Sequence, residues 1–269
     1  MVAMSGSSNK AKIAKRVIEV LDYFDDDHRE ATVMDIVRRY DRPQSSTSEL
    51  LSSLVDLGLL YKDPFSRSYS LSPRAALLGA NGQTGTVRDG GIVRLLDRLA
   101  AQTGLAVALY GMVGLNVQIV SWRSSARPMN AKARAIHGGL QEPLIESAIG
   151  WMMLSTIPHP RCDGVVRRLI AEAADDRKVP FAEMSLRLQR CRDLRSAVGP
   201  AGFGSGVEVA GLLLPGQPEE HPLAVGLLYG ADQQINSDSL IACIQDAIAN
   251  CLLGEEANPP RLEALTNAA

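Results

Sequence analysis

Six short hydroxyl side chains, Ser45, Ser46, Thr47, Ser48, Ser52 and Ser53, share one stretch with Leu50, Leu51, Leu54, Val55 and Leu57. The apolar set recurs at helical spacing, which predicts a helix with one buried aliphatic stripe and the hydroxyls mainly on the opposite, exposed side. Gly58 follows where a left-handed residue would end the helix. A free face of short hydroxyls, rather than long charged chains, is shaped to enter a groove and to hydrogen-bond base edges. Arg42, Gln44, Ser45, Ser46, Thr47 and Ser48, at the start of this helix, are therefore the candidate DNA contacts. Lys62, Arg67 and Tyr69 join them further along, the two cations as phosphate ligands. Glu49 either points into the groove, where a carboxylate accepts from cytosine N4, or closes a capping box with Ser46. The three-residue spacing favours the box.

Catalytic and metal chemistry find little to work with. His28, His137, His159 and His221 share no motif with a Ser, Cys or carboxylate at catalytic spacing. Cys162, Cys191, Cys243 and Cys251 are far apart, with no C-x-x-C pair, and read as buried, reduced thiols. Gly202-Phe203-Gly204-Ser205-Gly206 resembles a phosphate loop but lacks the Lys-Ser/Thr that would follow one, and it reads as a tight turn before a strand. The expectation is a non-enzyme with no cofactor and no metal.

At 269 residues the chain is long enough for two domains, and 46% apolar with 22% charged residues is ordinary for a soluble globular protein. No run approaches the ~20 apolar residues that span a bilayer, and the first nine residues lack the apolar core of a secretory signal, so the expected compartment is the cytoplasm. The net charge is −2. Residues 1–80 balance eleven basic against eleven acidic residues. Phosphate contacts must then come from local clusters at Lys10–Arg16, Arg38–Arg42 and Lys62–Arg67.

The elements that must position these groups are legible. Ile13, Val17, Val20, Leu21 and Phe24 mark a first helix. Thr32 with Asp35 forms a capping box for a second, with Ile36, Val37 and Tyr40 as its inner side, and Asp41-Arg42-Pro43 breaks it. Two short extended runs, Leu59–Lys62 and Ser68–Leu71, enclose a turn. Three helices and a hairpin are the parts of a winged helix. Beyond a polar, Gly-containing connection come an amphipathic helix at Ile92–Ala101, strands at Leu105–Met112 and Val117–Trp122, helices at Arg161–Ala174 and Phe181–Val198, strands at Val207–Leu214 and Leu223–Tyr229, and a last helix at Ser237–Leu253. This alternation predicts an α+β domain, an antiparallel sheet flanked by helices.

Ile13–Gly79 resembles the DNA-binding domain of the IclR family of bacterial transcriptional regulators. The resemblance rests on Pro43-Gln44-Ser45-Ser46-Thr47, on Leu50-Leu51-Ser52-Ser53-Leu54-Val55-Asp56-Leu57-Gly58-Leu59-Leu60, and on Tyr69-Ser70-Leu71-Ser72-Pro73 with Leu77-Leu78-Gly79. Asp41-Arg42-Pro43 replaces the family's Gly-Leu-Pro, and Glu49 stands where Arg is frequent. More loosely, Gly138–Leu144 and Ser147–Ser155 resemble family segments of the second domain, with Trp151 replacing a usual Lys. The resemblance implies a winged helix at 9–80, a linker and linker helix at 81–104, a GAF-like effector and oligomerisation domain at 105–254, and a tail at 255–269. It also implies a homodimer or homotetramer on a double-stranded operator, controlled by a small organic effector. On that alignment Val209 stands near a usual Cys, and Leu227 and Tyr229 near usual serines, giving a dry pocket suited to an apolar or aromatic acid. Tyr110, Met112, Ala148, Trp151 and Met152 are its expected walls, with Arg134 and His137 as partners for a carboxylate. The rival expectation is a second domain that only oligomerises.

Overall fold

The structure is a computed structural model that describes residues 9–25, 28–78, 90–217, 221–231, 233 and 235–253. Contacts divide the chain into two units, Met1–Thr84 and Gly85–Ala269. The expected tail at 255–269, and most of the polar connection before residue 90, lie outside the described residues.

The first unit contains α1 (Asn9–Tyr23), α2 (Val33–Tyr40), α3 (Gln44–Asp56), the hairpin β1 (Leu60–Lys62) and β2 (Tyr69–Leu71), and a short α4 (Pro73–Leu77). Thr32 caps α2 with the full reciprocal box to Asp35, as the spacing requires. Asp41 then takes a left-handed φ of 49° and turns the chain toward α3. Such a conformation costs Asp less than most residues. Val20, Ile36, Leu51, Leu54, Leu60 and Tyr69 form the core, with Ala31 bonded across to Tyr69. Three local expectations fail. Helix α3 begins at Gln44 behind Pro43 with no side-chain cap, so Ser46 and Glu49 make no capping box. Leu57 is exposed, because the helix ends at Asp56 and the stripe loses its phase there. Ile13 is exposed as well.

The second unit is a six-stranded, wholly antiparallel sheet in the order β5-β4-β3-β8-β7-β6, buried on both faces. Its strands are β3 (Ala106–Val113), β4 (Asn116–Arg123), β5 (Gln141–Pro143), β6 (Ser196–Pro200), β7 (Val207–Leu213) and β8 (Leu223–Gly230). One face packs on α6 (Ala148–Ser155), α7 (Arg161–Glu172) and α8 (Phe181–Leu194), the other on α5 (Gly91–Thr103) and α9 (Ser237–Ile248). The helix read as a linker is α5, and it belongs to this unit: Ile92, Leu95, Leu96 and Leu99 are buried against Val107, Leu109 and Ile244. Arg195, at a left-handed φ of 52°, ends α8 four residues before the expected Val198 and releases the chain into β6.

Close approach of α6 to the chain before it depends on one glycine. A Cβ at Gly150 would lie 2.2 Å from the Leu144 carbonyl oxygen, which is backbone and cannot swing aside. Gly164, on the exposed side of α7, has nothing within 4 Å. Gly150→Ala should therefore destabilise the protein by about 1–3 kcal/mol or more, as overpacking does. Gly164→Ala should stabilise it by about 0.5–1 kcal/mol by reducing the freedom of the unfolded chain. Urea melts of the two variants check both signs.

Candidate functional site

In α3 the buried stripe is Thr47, Leu51 and Leu54. Thr47 is thereby removed from the candidate base contacts: it is 1% exposed, and its Oγ1 donates to the Pro43 carbonyl at 2.9 Å. A hydroxyl that satisfies a helix's own first carbonyls can sit inside at little cost, and for that reason residue type alone misplaced it. The outward side carries exposed Ser45, Glu49, Ser52 and Ser53 and a half-buried Ser48, preceded by an exposed Gln44. Ser46 lies to one side, accepting from Arg16 Nη2 at 3.1 Å and donating to the Pro43 carbonyl at 3.2 Å.

Two more of the proposed DNA contacts have other employment. The Arg42 guanidinium pairs with Glu19 of α1 at 3.2 Å, fixing the turn before α3 to the first helix. Tyr69 is buried in the core, with the Lys62 ammonium 5.4 Å from its ring centre. Lys62 and Arg67 remain exposed on either side of the hairpin turn. Gln44, Ser45, Ser48, Lys62 and Arg67 are thus available at the surface. Glu49 joins them, in the middle of the outward side rather than in a cap.

The ten residues assigned to an effector pocket separate into three places. Tyr110, Ala148, Met152 and Val209 are fully buried in the cluster on the α6 face, with Met112 and Trp151 packed against it. Trp151 is held by an Nε1 bond to the Ile145 carbonyl at 2.7 Å and by the Arg187 guanidinium 4.4 Å from its ring centre. Leu227 and Tyr229 point to the opposite face, among the residues that pack on α5 and α9. Ala106, Ala108 and Tyr110 pair with Leu228, Gly226 and Ala224, so Gly226 and Leu228 are the β8 residues that share a face with Tyr110. Leu227 and Tyr229 therefore do not share a face with the other buried residues assigned to the pocket, since a step of one residue along a strand exchanges the faces. Space above Gly211 and Gly226 is filled by Ile149, whose Cδ1 would lie 2.3 Å from a Cβ on Gly211.

Arg134 and His137 lie in the segment after β4. His137 is exposed, its Nδ1 donating to the Gly138 carbonyl at 2.7 Å. Arg134 lines a cavity of about 350 Å³ with Trp122, Met129, Arg127 and two serines, Ser124 and Ser125. A second cavity, of about 360 Å³, opens between the ends of α6, α8 and β7, with Arg192 and Arg195 among its walls.

Sequence reasoning missed Glu142, a buried carboxylate on β5. It accepts from the Phe203 backbone N–H and is hydrogen-bonded by Ser147, but its Oε1 is without a partner, as is the buried Tyr110 hydroxyl nearby. Gly202, at φ 83°, closes over it so tightly that a Cβ there would strike the carboxylate. The one available signal was an acid at the inward position of a three-residue strand. Burial outweighs the two hydrogen bonds and pushes the carboxyl up to about 7. The folded state then keeps a proton that the unfolded chain releases near pH 4.5, so stability falls as pH rises from about 4.5 to about 7 and is level above that. Glu142→Gln, which removes the titrating group, should raise stability at pH 8 by up to about 3 kcal/mol and change it little at pH 4.5. Thermal melts of both proteins across that range check the slope.

Residues 14–64 match the IclR helix-turn-helix domain. The chain is similar over most of its length to solved structures. An IclR-type transcriptional regulator from Alicyclobacillus acidocaldarius is 20% identical, covering 92% of this chain and 99% of its own, with a TM-score of 0.57. An IclR homologue from Microbacterium hydrocarbonoxydans, solved with 4-hydroxybenzoate, is 15% identical, covering 91% and 100%, with a TM-score of 0.57. The effector domain of an IclR-type regulator from Acinetobacter sp. ADP1 is 20% identical, covering 64% and 96%, with a TM-score of 0.53. At these identities the structures establish a shared fold. No curated protein sequence matches the chain.

Proposed function

We propose, on the premise that this chain is a transcriptional regulator of the IclR family, that its operator binding is modulated by a small organic acid with an apolar or aromatic body. The observation that carries this is the cavity of about 350 Å³ beside Arg134. It is large enough for a small-molecule ligand. Trp122 and Met129 supply apolar wall, while Arg127 and Arg134 supply two guanidinium groups suited to a carboxylate. The 4-hydroxybenzoate complex of the Microbacterium homologue supports the same class of ligand. Val209, Tyr110, Ala148 and Met152 then form the packed floor that transmits binding rather than the contact surface itself. DNA is read by α3 and the hairpin, and a homodimer or homotetramer reads two half-sites by symmetry. The expected setting is the cytoplasm; among the described residues no helix is long and apolar enough to cross a membrane.

The close packing of Ile149 over Gly211 and Gly226 favours a second reading, in which this unit only oligomerises. Titration separates the two. Benzoate should raise the melting temperature and alter operator affinity at concentrations at least tenfold below those pyruvate needs, since burying one ring face contributes on the order of 2 kcal/mol. Arg134→Gln should weaken benzoate by about tenfold, the loss of one charge-assisted hydrogen bond. No response to either acid would favour oligomerisation alone, and pyruvate binding more tightly than benzoate would overturn the apolar-acid reading.

A further inference from the structure

Phe65 stands at the tip of the β1–β2 hairpin with 96% of its surface exposed, the most exposed large apolar side chain among the described residues. The tip that carries it is fastened from several directions. Asp63 Oδ1 accepts from the backbone N–H of Phe65 at 2.7 Å and of Ser66 at 3.3 Å. Across the turn, Asp63 N–H donates to the Ser68 carbonyl at 2.9 Å and Arg67 N–H to the Asp63 carbonyl at 3.0 Å. Ser66 and Ser68 share a hydroxyl bond of 2.7 Å, and the Ser68 hydroxyl donates onward to Glu30 at 2.9 Å. Pro64 fixes one torsion and Arg67 takes a left-handed φ of 58°. A ring held out on so constrained a turn loses little conformational freedom when it enters a partner.

The partner is defined by what surrounds the ring. Lys62 and Arg67, both exposed, flank it, while the Asp63 carboxylate, also exposed, is held back against the turn by the two backbone N–H groups, which keep it ionised. The tip thus presents an aromatic ring between two cations, with one carboxylate turned to the backbone. Phosphate offers such a ring no apolar contact and deoxyribose only its small C–H edges, whereas the face of a base pair offers a flat aromatic surface of matching size. We propose that Phe65 is a wedge that enters between two base pairs from the minor groove, partly unstacking them and bending the duplex, while Lys62 and Arg67 hold the adjoining phosphates. This rests on the DNA-binding reading of the first unit and adds to it an indirect element of sequence preference. A wedge favours pyrimidine–purine steps, which unstack most easily, at a position where no side chain reads a base edge.

The test uses the full chain and a duplex selected by it from a random pool, with bending read by energy transfer between the duplex ends. Wild type should bend the selected duplex by roughly 20° or more. Phe65→Ala should lose at least half of that bend and about tenfold in affinity, the scale of one aromatic–base stack, and Phe65→Leu should keep most of both. A single mismatch at the wedged step, which unstacks it in advance, should return most of the affinity that Phe65→Ala lost. Arg67→Ala should instead lower affinity and flatten the salt dependence by about one counterion without changing the bend. Equal bends for wild type and Phe65→Ala, or an affinity deficit that the mismatch leaves untouched, would overturn the wedge while leaving DNA binding in place. Failure of wild type to select any duplex would remove the DNA-binding reading and the wedge with it.

Discussion

Along β8 every side chain from Ala224 to Tyr229 is committed to one of two buried faces, and the hydrogen-bonded registers with β3 and β7 leave it no choice. Ala224, Gly226 and Leu228 share a face with Tyr110 and Val209; Val225, Leu227 and Tyr229 face α5 and α9. The rest of the second unit is arranged around this division. Residues on the α6 face are small where α6 must come close: Gly211 and Gly226 are paired directly across the strands, and Ile149 sits in the space they leave. Leu144 and Gly150 make the same accommodation in backbone. A ligand acting on this unit as proposed would have to work against this close packing.

In the first unit the equivalent constraint is the entry to α3. Pro43 lacks the side-chain oxygen that caps most helices, and its carbonyl instead takes hydrogen bonds from the hydroxyls of Ser46 and Thr47. Thr47 turns inward to do so, which rotates Ser45, Ser48, Glu49 and Ser52 outward as a set. Arg42, which would otherwise be a free cation beside the recognition helix, is held by Glu19, and Tyr40 donates to the Glu19 carbonyl oxygen at 2.6 Å. The helix presented to DNA is therefore positioned by a network of its own supports, and the residues that build the network are removed from the recognition surface.

These two constraints also mark where sequence reasoning ran out. Local signals with a geometric meaning carried through: the Thr32–Asp35 box, the break at Asp41-Arg42-Pro43, Gly58 after α3, the hairpin and four of the six strands in the second unit. Parity along β8 was invisible because both faces are apolar, and a strand buried on both sides has no alternation to read. Thr47 was invisible because its hydroxyl is satisfied locally, so polarity did not predict exposure. The start of β6 was hidden by a non-glycine residue, Arg195, taking the left-handed conformation that ends α8. Glu142 was hidden because its burial depends on a loop sixty residues later, whose Gly202 closes over it. In each case the deciding contact was either distant in sequence or satisfied by backbone, and composition records neither.

Charge sets the balance between the two kinds of DNA contact. Residues 1–80 carry no net charge, and among the cations near α3 Arg42 is paired with Glu19. Each cation that reaches a phosphate contributes a salt-log slope of about −0.9, and the pairing of Arg42 withdraws one such contribution. What remains must come from the short hydroxyls of α3, from the carboxylate of Glu49, which repels phosphate but accepts from cytosine, and from shape at the hairpin tip. A winged helix without net charge would thereby lean on these contacts for its discrimination. Under the proposed regulation, an effector would have to bind the DNA-bound and free states with different affinities to move the protein on or off its site.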